Sequence, residues 1–256
     1  HETIIDQKQL RELLPAIASH CVGGMFVDGD GHANPYQTVM AFKHKALSYG
    51  AQIIENIPVN NAKRHGTSWH IKTSAGEFEA PVLVNTAGAW GDKIAKLLGD
   101  HVPLEVQALM LMVTSRMPHF VKPVVGSQGR ALSFKQFQNG TVLIGGAYQG
   151  RAEPDNNKTH LNFKGLRANA QAAAIILPIM QHAQIVQCWA GLEGVMPDAI
   201  PVIGQGTKEG IFHAFGFSAH GFALAPIVGS IIADLIIDKS TKLPINAFNI
   251  QRFGNS

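Results

Sequence analysis

The stretch WAGLEGVMPDAIPVIGQGTKEGIFHAFGFSAHGFALAPIVGSIIADLIID, Trp189 to Asp238, decides the predicted fold. It begins as a strand, turns at a segment rich in Pro and Gly, and continues through a second short strand into a glycine-containing loop that opens a long apolar helix. Because the first turn of a helix leaves backbone N–H groups without helical acceptors, this pattern predicts a site for an electron-rich ligand. A glycine-rich turn before an ordinary core helix is the alternative that the pattern leaves open.

Composition narrows the classes of function. Charged residues make up 15% of the 256 residues, against roughly 25% in typical soluble domains, so we expect surface covered by further sequence, a cofactor or a partner. The net charge of +3 comes without a basic run, which argues against nucleic-acid binding. Cys21 and Cys188 lack CxxC spacing and the histidines lack an HExxH motif, so no metal site is predicted.

The apolar stretches are predicted to be core helices. Ala172–Met180 is too short to span a bilayer, and Gly221–Ile237 carries Ser230 and Asp234 within a marginal length. No secretory signal is visible, and the polar opening HETIIDQKQLREL resembles the middle of a protein rather than its start. The expected location is the cytoplasm, with peripheral association with the inner membrane left open and no integral membrane segment.

Local patterns predict the remaining elements. Helices are expected over Gln7–Ile17, over Pro35–Tyr49 and over Leu161–His182 with a bend at Pro178, and one of several early strands is expected at Gln52–Glu55. Val82–Val84 predicts a short buried strand that leads through a turn of small residues into a helix, which is typical of a cofactor-facing βα junction.

Two interleaved layers follow from these patterns. Longer antiparallel strands, with a hairpin at Asn139-Gly140, are expected between residues 101 and 183. Residues 1–100 and 184–256 form the other layer, which carries the βα junction and the loop before the last helix. The predicted fold class is α/β with mixed α+β character: a partial Rossmann-like cofactor layer and an interleaved antiparallel-sheet substrate layer.

Three runs resemble the D-amino acid oxidase family of FAD-dependent oxidoreductases, which includes glycine oxidase and sarcosine oxidase. They are Val82–Trp90 (VLVNTAGAW), Trp189–Gly204 and Gly216–Pro226. The resemblance implies FAD as cofactor, with residues 1–100 and 184–256 as the FAD-binding domain and 101–183 as the substrate-binding domain. The N-terminal dinucleotide fingerprint of the family is missing, so we expect an incomplete FAD site that binds FAD weakly or not at all by itself.

The resemblance also implies the residues that contact the cofactor. The loop before the last helix would contact the flavin ring, the turn after Asn85 would lie along the dinucleotide, and the backbone of Val59 would contact the adenine end, although a plain strand residue is the alternative for Val59. The complete set is Val59, Thr86, Ala87, Gly88, Phe217, Ser218, Ala219, His220, Gly221, Phe222 and Ala223.

The substrate clamp of the family is absent at the matching positions. Glycine oxidase-like relatives carry an arginine that grips the substrate carboxylate where this chain has Glu193, and a second arginine where it has Ala219. Either another cation binds a carboxylate, or the substrate carries a cationic group there, or Glu193 is an exposed strand-end residue. The other cations that could act are Arg130, Lys135 and Arg151.

His220 is the second candidate catalytic residue, because its loop position is expected to lie near the flavin ring. It could orient the substrate or act as a base near neutral pH. A base is not obligatory, since hydride transfer from an amine needs a neutral amine and good alignment with the flavin.

These observations predict an FAD-dependent oxidoreductase that oxidises the C–N bond of an amino acid or related secondary amine by hydride transfer to flavin, with this fragment inactive alone. The DGDGHANP run, Asp28–Pro35, is most similar to the opine-oxidase and cyanide-synthase subunits of the family, which implies hetero-oligomeric partners. The alternative is a truncated or degenerate non-catalytic subunit of a hetero-oligomeric dehydrogenase. An NAD-linked dehydrogenase is disfavoured, because the glycines at 204, 206 and 210 precede a predicted strand rather than a helix.

Overall fold

The computed structural model describes residues 1–254 and contains fifteen strands and five α-helices within them. The strands are β1 (Glu2–Asp6), β2 (Gly23–Val27), β3 (Val59–His65), β4 (Ser68–Thr73), β5 (Gly76–Ala80), β6 (Leu83–Asn85), β7 (Glu105–Thr114), β8 (Val125–Gly126), β9 (Ser133–Gln136), β10 (Val142–Gly145), β11 (Arg151–Glu153), β12 (Lys158–His160), β13 (Ile185–Val195), β14 (Val202–Gln205) and β15 (Ile211–Phe215). The helices are α1 (Gln7–Leu13), α2 (Pro35–Ser48), α3 (Gly91–Leu98), α4 (Phe163–Ile176) and α5 (Gly221–Ile237).

The chain divides into two compact units. Unit 1 contains residues 1–34 and 107–192, and unit 2 contains residues 35–106 and, among the described residues, 193–254. The predicted layers differ from these units mainly in residues 1–34, which join unit 1 because Ile5 and Leu10 belong to the same core cluster as Phe134. The functional roles assigned to the layers stay a prediction.

Unit 1 is built on antiparallel strands. Its five-stranded sheet has the order β13-β7-β10-β9-β8, and β1 pairs with β2 in a separate ribbon. The carboxylate of Asp6 accepts a hydrogen bond from the backbone amide of Gln9 at 2.8 Å, and Oε1 of the Gln9 side chain accepts one from the backbone amide of Asp6 at 3.0 Å. This capping box starts α1 directly at the end of β1.

Unit 2 is organised around β15. This strand lies between β14, to which it is antiparallel, and β6, to which it is parallel, and all five of its residues are buried. Successive side chains of a strand point to opposite faces. Phe212 and Ala214 accordingly pack with Val228 of α5, whereas Phe215 packs with Ala95 of α3.

A second sheet of unit 2 has the antiparallel order β3-β4-β5. Trp69 of β4 is only 1% exposed and packs with Leu98 of α3 and Ile211 of β15. Its indole N–H donates to the carbonyl of Glu209 at 3.2 Å, which satisfies the one polar group that burial of this side chain removes from water.

Prolines end two helices earlier than the sequence predicts. The predicted helix over Gln7–Ile17 ends at Leu13, and that over Leu161–His182 ends at Ile176, with a 3-10 helix from Pro178. In both cases the residue before a proline, Leu14 or Leu177, leaves the helical conformation, with φ near −130°, because a following proline disfavours the α region. The strand predicted at Gln52–Glu55 is also wrong, since these residues lie in an irregular connection.

The contact between α3 and β15 yields a prediction for stability. A Cβ atom on Gly91 would lie 2.3 Å from Cγ of Phe215, whereas one on Gly29 would meet nothing within 4 Å. We expect Gly91→Ala to lower the free energy of unfolding by about 1–3 kcal/mol through overpacking, and Gly29→Ala to change it little. Urea denaturation measures both; equal stability of the two variants would contradict this packing.

Candidate functional site

The loop Gly216–His220 between β15 and α5 has an unusual backbone. Gly216, Ser218 and Ala219 have φ values of 74°, 49° and 72°. Residues other than glycine pay about 1–3 kcal/mol for such conformations, which persist where the surroundings hold them and are common at functional sites. Two such residues in a row indicate a loop whose shape the rest of unit 2 imposes.

The end of β13 holds this loop in place. The amide of Ser218 donates to the carbonyl of Gly194 at 3.2 Å, and the amide of Ala219 donates to Oε1 of Glu193 at 2.7 Å. In return, the amide of Met196 donates to Oγ of Ser218 at 3.1 Å. Three hydrogen bonds therefore offset the cost of the left-handed backbone.

The first turn of α5 begins with open amides. The N-cap residue, His220, makes no side-chain capping bond, and the helical hydrogen bonds start with the amide of Leu224 on the carbonyl of His220 at 3.3 Å. The amides of Gly221, Phe222 and Ala223 come before that bond, so no carbonyl of the helix accepts from them. Together with the partial positive charge of the helix start, they suit an anionic or carbonyl ligand.

The turn Thr86–Gly88 connects β6 to the region before α3. The amide of Ala87 donates to Oδ1 of Asn85 at 3.2 Å. Gly88 has φ 55°, and a Cβ atom at this position would meet nothing within 4 Å. The turn therefore has a fixed conformation and an open side from which a ligand could approach its backbone.

Gly194 brings the predicted loop and the predicted turn together within unit 2. A Cβ atom on Gly194 would lie 3.0 Å from the carbonyl oxygen of Gly88 and 3.4 Å from Cα of Ala89, while its own carbonyl accepts from Ser218. Gly194 is not among the site residues predicted from the sequence. The signal was a glycine inside a strand, which often marks a close backbone approach.

A polar network, formed by the buried side chains of Asn85, Asp100 and His213, lies next to this turn. His213 of β15 is fully buried, with Nε2 at 2.9 Å from Oδ2 of Asp100 and Nδ1 at 3.2 Å from Nδ2 of Asn85. Asp100 also accepts from the amide and hydroxyl of Thr207, and Nδ2 of Asn85 donates to the carbonyl of Gly91 at 2.9 Å. Burial lowers the pKa of His213, although Asp100 opposes that shift.

Glu193 is placed at the loop, whereas the candidate cations belong to unit 1. One carboxylate oxygen of Glu193 accepts from Ala219. Arg151 pairs with Glu153 at 2.5 Å, and Lys135 lies 5.2 Å from the centroid of the Phe137 ring, with its pKa lowered by burial. Arg130 lines a cavity of unit 1 of about 740 Å³.

The other two predicted positions are less constrained. His220 is exposed, and its amide donates to the carbonyl of Phe217 at 3.0 Å. Val59 is the first residue of β3, is 39% exposed and pairs with Thr73 beside a register shift. Such an irregularity frees backbone groups from the ladder, so a backbone contact of Val59 with a ligand stays a prediction.

The residues fit the flavin dinucleotide in chemical character. The start of α5 offers hydrogen-bond donors for a ring edge that becomes negative on reduction, and Gly88 leaves space for an extended ligand. In addition, Oδ1 of Asp92, in the first turn of α3, is buried without a hydrogen-bond partner among the described residues. A hydroxyl or amide group of a ligand could donate a hydrogen bond to this unpaired oxygen.

Two features are absent from residues 1–254, the part of the chain that the structure describes. No cluster of three or more His, Cys, Asp or Glu side chains is close enough there to hold a metal ion. None of the described helices has both the length and the apolar character needed to cross a bilayer.

The lowered pKa of His213 predicts a loss of stability in weak acid. Unfolded His213 would take up a proton near pH 6.5, whereas the folded residue resists protonation. The free energy of unfolding should therefore fall as the pH drops from 7.5 through 6.5, with a slope of at most about 1.4 kcal/mol per pH unit. Urea denaturation at several pH values measures it; a slope unchanged by His213→Gln would assign the effect to other groups.

The comparisons with known proteins cover nearly the whole chain. The family model described as "DAO: FAD dependent oxidoreductase" matches residues 1–235. Glycine oxidase from Bacillus subtilis is 28% identical over 96% of the chain, and the hydrogen cyanide synthase subunit HcnC from Pseudomonas protegens is 27% identical over 98%. The chain spans 66% and 60% of the length of these two relatives, and 37% of the bifunctional protein ThiO/ThiG from Synechocystis, to which it is 27% identical over 97% of its residues.

Solved structures share the fold. L-proline dehydrogenase from P. horikoshii has a TM-score of 0.92 at 27% identity, and it matches 98% of this chain with 68% of its own. Glycine oxidase from Geobacillus kaustophilus has a TM-score of 0.89 at 22% identity over 98% of this chain and 67% of its own. The expected mixed α/β class and the family resemblance are confirmed, and the chain belongs to the DAO family of FAD-dependent oxidoreductases.

Proposed function

We propose that the protein binds FAD on unit 2. The observation that carries the proposal is the set of open amides of Gly221, Phe222 and Ala223 at the end of a loop held in a strained conformation. The loop Phe217–Ala223 would contact the flavin ring, the turn Thr86–Gly88 would run along the dinucleotide, and the backbone of Val59 would meet the adenine end.

The proposed reaction is oxidation of the C–N bond of an amino acid or related secondary amine. When bound, FAD supplies an acceptor for the hydride on the carbon beside nitrogen, and water then hydrolyses the resulting imine. The amides at the start of α5 would donate to the ring edge that becomes negative, and the helix dipole would add to their effect. Relatives that carry the names glycine oxidase and L-proline dehydrogenase support this class of substrate.

Glu193 would set the preference among substrates. An acid beside the ring-contacting loop favours a substrate with a cationic group and disfavours a free carboxylate at the same position. Because one of its oxygens already accepts from Ala219, the other is the one available to a ligand. His220, exposed at the N-cap of α5, would orient the substrate amine and could accept its proton.

The 256 residues alone are proposed to bind FAD weakly and to be inactive. Several apolar side chains are exposed in unit 2: Tyr36, Val39 and Phe42 of α2 are 74%, 60% and 57% exposed, and Phe222 and Ile227 of α5 are 48% and 46% exposed. Exposed apolar surface of this kind is commonly an interaction surface. In the proposal, further polypeptide completes the FAD site, residues 101–183 supply the substrate-binding domain, and the protein acts in the cytoplasm.

A non-catalytic subunit of a hetero-oligomeric dehydrogenase is the second candidate. Two points favour it: the family resemblance implies a carboxylate-binding arginine at the position where this chain has the acid Glu193, and the relative HcnC is by its name a subunit of hydrogen cyanide synthase. In this case the same fold would serve assembly, and the open amides of α5 would have no role in electron transfer.

Colour and bleaching distinguish the two candidates. The protein expressed from its complete gene should be yellow, with the absorbance of oxidised flavin, and should lose that absorbance when an amino acid or opine is added without oxygen. A colourless protein that copurifies with a partner would support the subunit instead. Native mass spectrometry of the same preparation keeps noncovalent complexes intact and therefore reports which polypeptide carries the flavin.

The charge at the start of α5 can be tested by substitution. Ala223→Asp should stabilise the helix by about 0.3–1 kcal/mol through its dipole and yet lower the reduction potential of bound flavin by roughly 20–40 mV, because it opposes negative charge on the ring. Ala233→Asp, at an exposed position in the C-terminal half of the same helix, is the matched control. Equal potentials in the two variants would place the ring away from this end of α5.

The substrate preference can be tested at Glu193 with little change to the loop. Glu193→Gln removes the charge and keeps an oxygen that can accept from Ala219. We expect kcat/KM for an amino acid with a second cationic group to fall at least tenfold and that for glycine to change less than threefold. Glu105→Gln, at an exposed residue of unit 2, is the control. A parallel loss for both substrates would assign Glu193 to the loop alone.

A further inference from the structure

The polar network of Asp100, His213 and Asn85 in unit 2 has only one arrangement of hydrogen-bond donors and acceptors. The Asp100 carboxylate can only accept, so the bond at 2.9 Å requires the hydrogen on Nε2 of His213. Nδ1 is then an acceptor and receives one hydrogen of Nδ2 of Asn85 at 3.2 Å, while the other goes to Gly91 at 2.9 Å. Both amide hydrogens are used, and Oδ1 of Asn85 is therefore turned towards the amide of Ala87.

The glycine after β14 leaves space for the polar network. A Cβ atom on Gly206 would lie 2.6 Å from Oδ2 of Asp100 and 2.9 Å from Nε2 of His213. Gly206 belongs to the glycine pattern that imitates a dinucleotide fingerprint in the sequence. The structure gives it a different role, because only a glycine lets the backbone pass directly over the Asp100–His213 pair.

Packing by itself does not explain why polar side chains occupy these buried positions. His213 and Asn85 are 0% and 2% exposed, and burying polar groups costs free energy that an apolar side chain of the same size avoids. What the polar groups provide is a single orientation of the Asn85 carboxamide. That carboxamide bonds the turn at Ala87 and the start of α3 at Gly91, on both sides of Gly88.

We propose that Asp100 and His213 are positioning residues that act through Asn85 to hold the turn Thr86–Gly88 in its FAD-binding conformation. The proposal rests on the proposed function, since it names the residues that shape one segment of that FAD site. Neither Asp100 nor His213 touches the cofactor. They set which way Asn85 points, and Asn85 sets the backbone that faces the ligand.

The test compares two substitutions of His213 in the purified holoprotein. His213→Gln keeps a donor for Asp100 and an acceptor for Asn85, whereas His213→Leu fills the space without either. We expect the Kd for FAD, measured well below the melting temperature, to rise at least tenfold in His213→Leu and less than threefold in His213→Gln. Amide hydrogen exchange of residues 83–91 should accelerate only in His213→Leu.

Phe212→Leu is the control for a general loss of stability, because Phe212 points to the α5 side of the same strand. If Phe212→Leu weakens FAD binding as much as an equally destabilised His213→Leu, or if Gln and Leu at position 213 behave alike, the positioning role is overturned. If the wild-type protein binds no FAD, the proposed function fails, and the exchange rates of residues 83–91 still decide whether His213 orders the turn.

Discussion

The structure of the candidate site depends on two hydrogen bonds that the end of β13 accepts from the loop before α5. The carbonyl of Gly194 and the carboxylate of Glu193 accept from consecutive amides, those of Ser218 and Ala219. These bonds hold two residues in the left-handed conformation, and the chain can then begin α5 directly after the loop with its first amides open. A relaxed loop would have freedom to turn those amides towards other acceptors of the protein.

The buried strand β15 supplies the rigid base for this arrangement. Its alternate side chains pack under α5 on one face and against α3 on the other, so the loop that follows it and the turn that precedes α3 are anchored to the same strand. His213 lies on the α3 face of this strand and connects it to Asn85 through hydrogen bonds. Apolar packing and the polar network thus both connect the two ligand-facing segments to β15.

The main segments of the candidate site were predictable from local sequence. The loop Gly216–His220 and the apolar run of α5 follow from glycine placement and hydrophobicity, and the turn Thr86–Gly88 follows from a short apolar strand that leads into small residues. The errors at Leu14 and Leu177 also have a local cause, because both precede a proline whose effect on the preceding residue was underestimated.

The remaining features depend on contacts between distant residues. Asp100 and His213 are 113 positions apart, and no spacing rule pairs them. The glycine at position 194 indicates that another part of the backbone approaches this strand closely, but it does not indicate that the approaching residue is Gly88. The assignment of residues 1–34 to unit 1 depends on Ile5 and Leu10 joining the core around Phe134, which their hydrophobicity permits but does not specify.

A crystal structure of the protein with FAD would show directly whether the open amides of α5 contact the flavin ring. We expect an acceptor atom of the flavin ring within about 3.2 Å of the backbone nitrogen of Gly221, Phe222 or Ala223, with the hydrogen bonds from Ser218 and Ala219 to the end of β13 intact. A ring bound elsewhere, with these three amides turned to other partners, would contradict it.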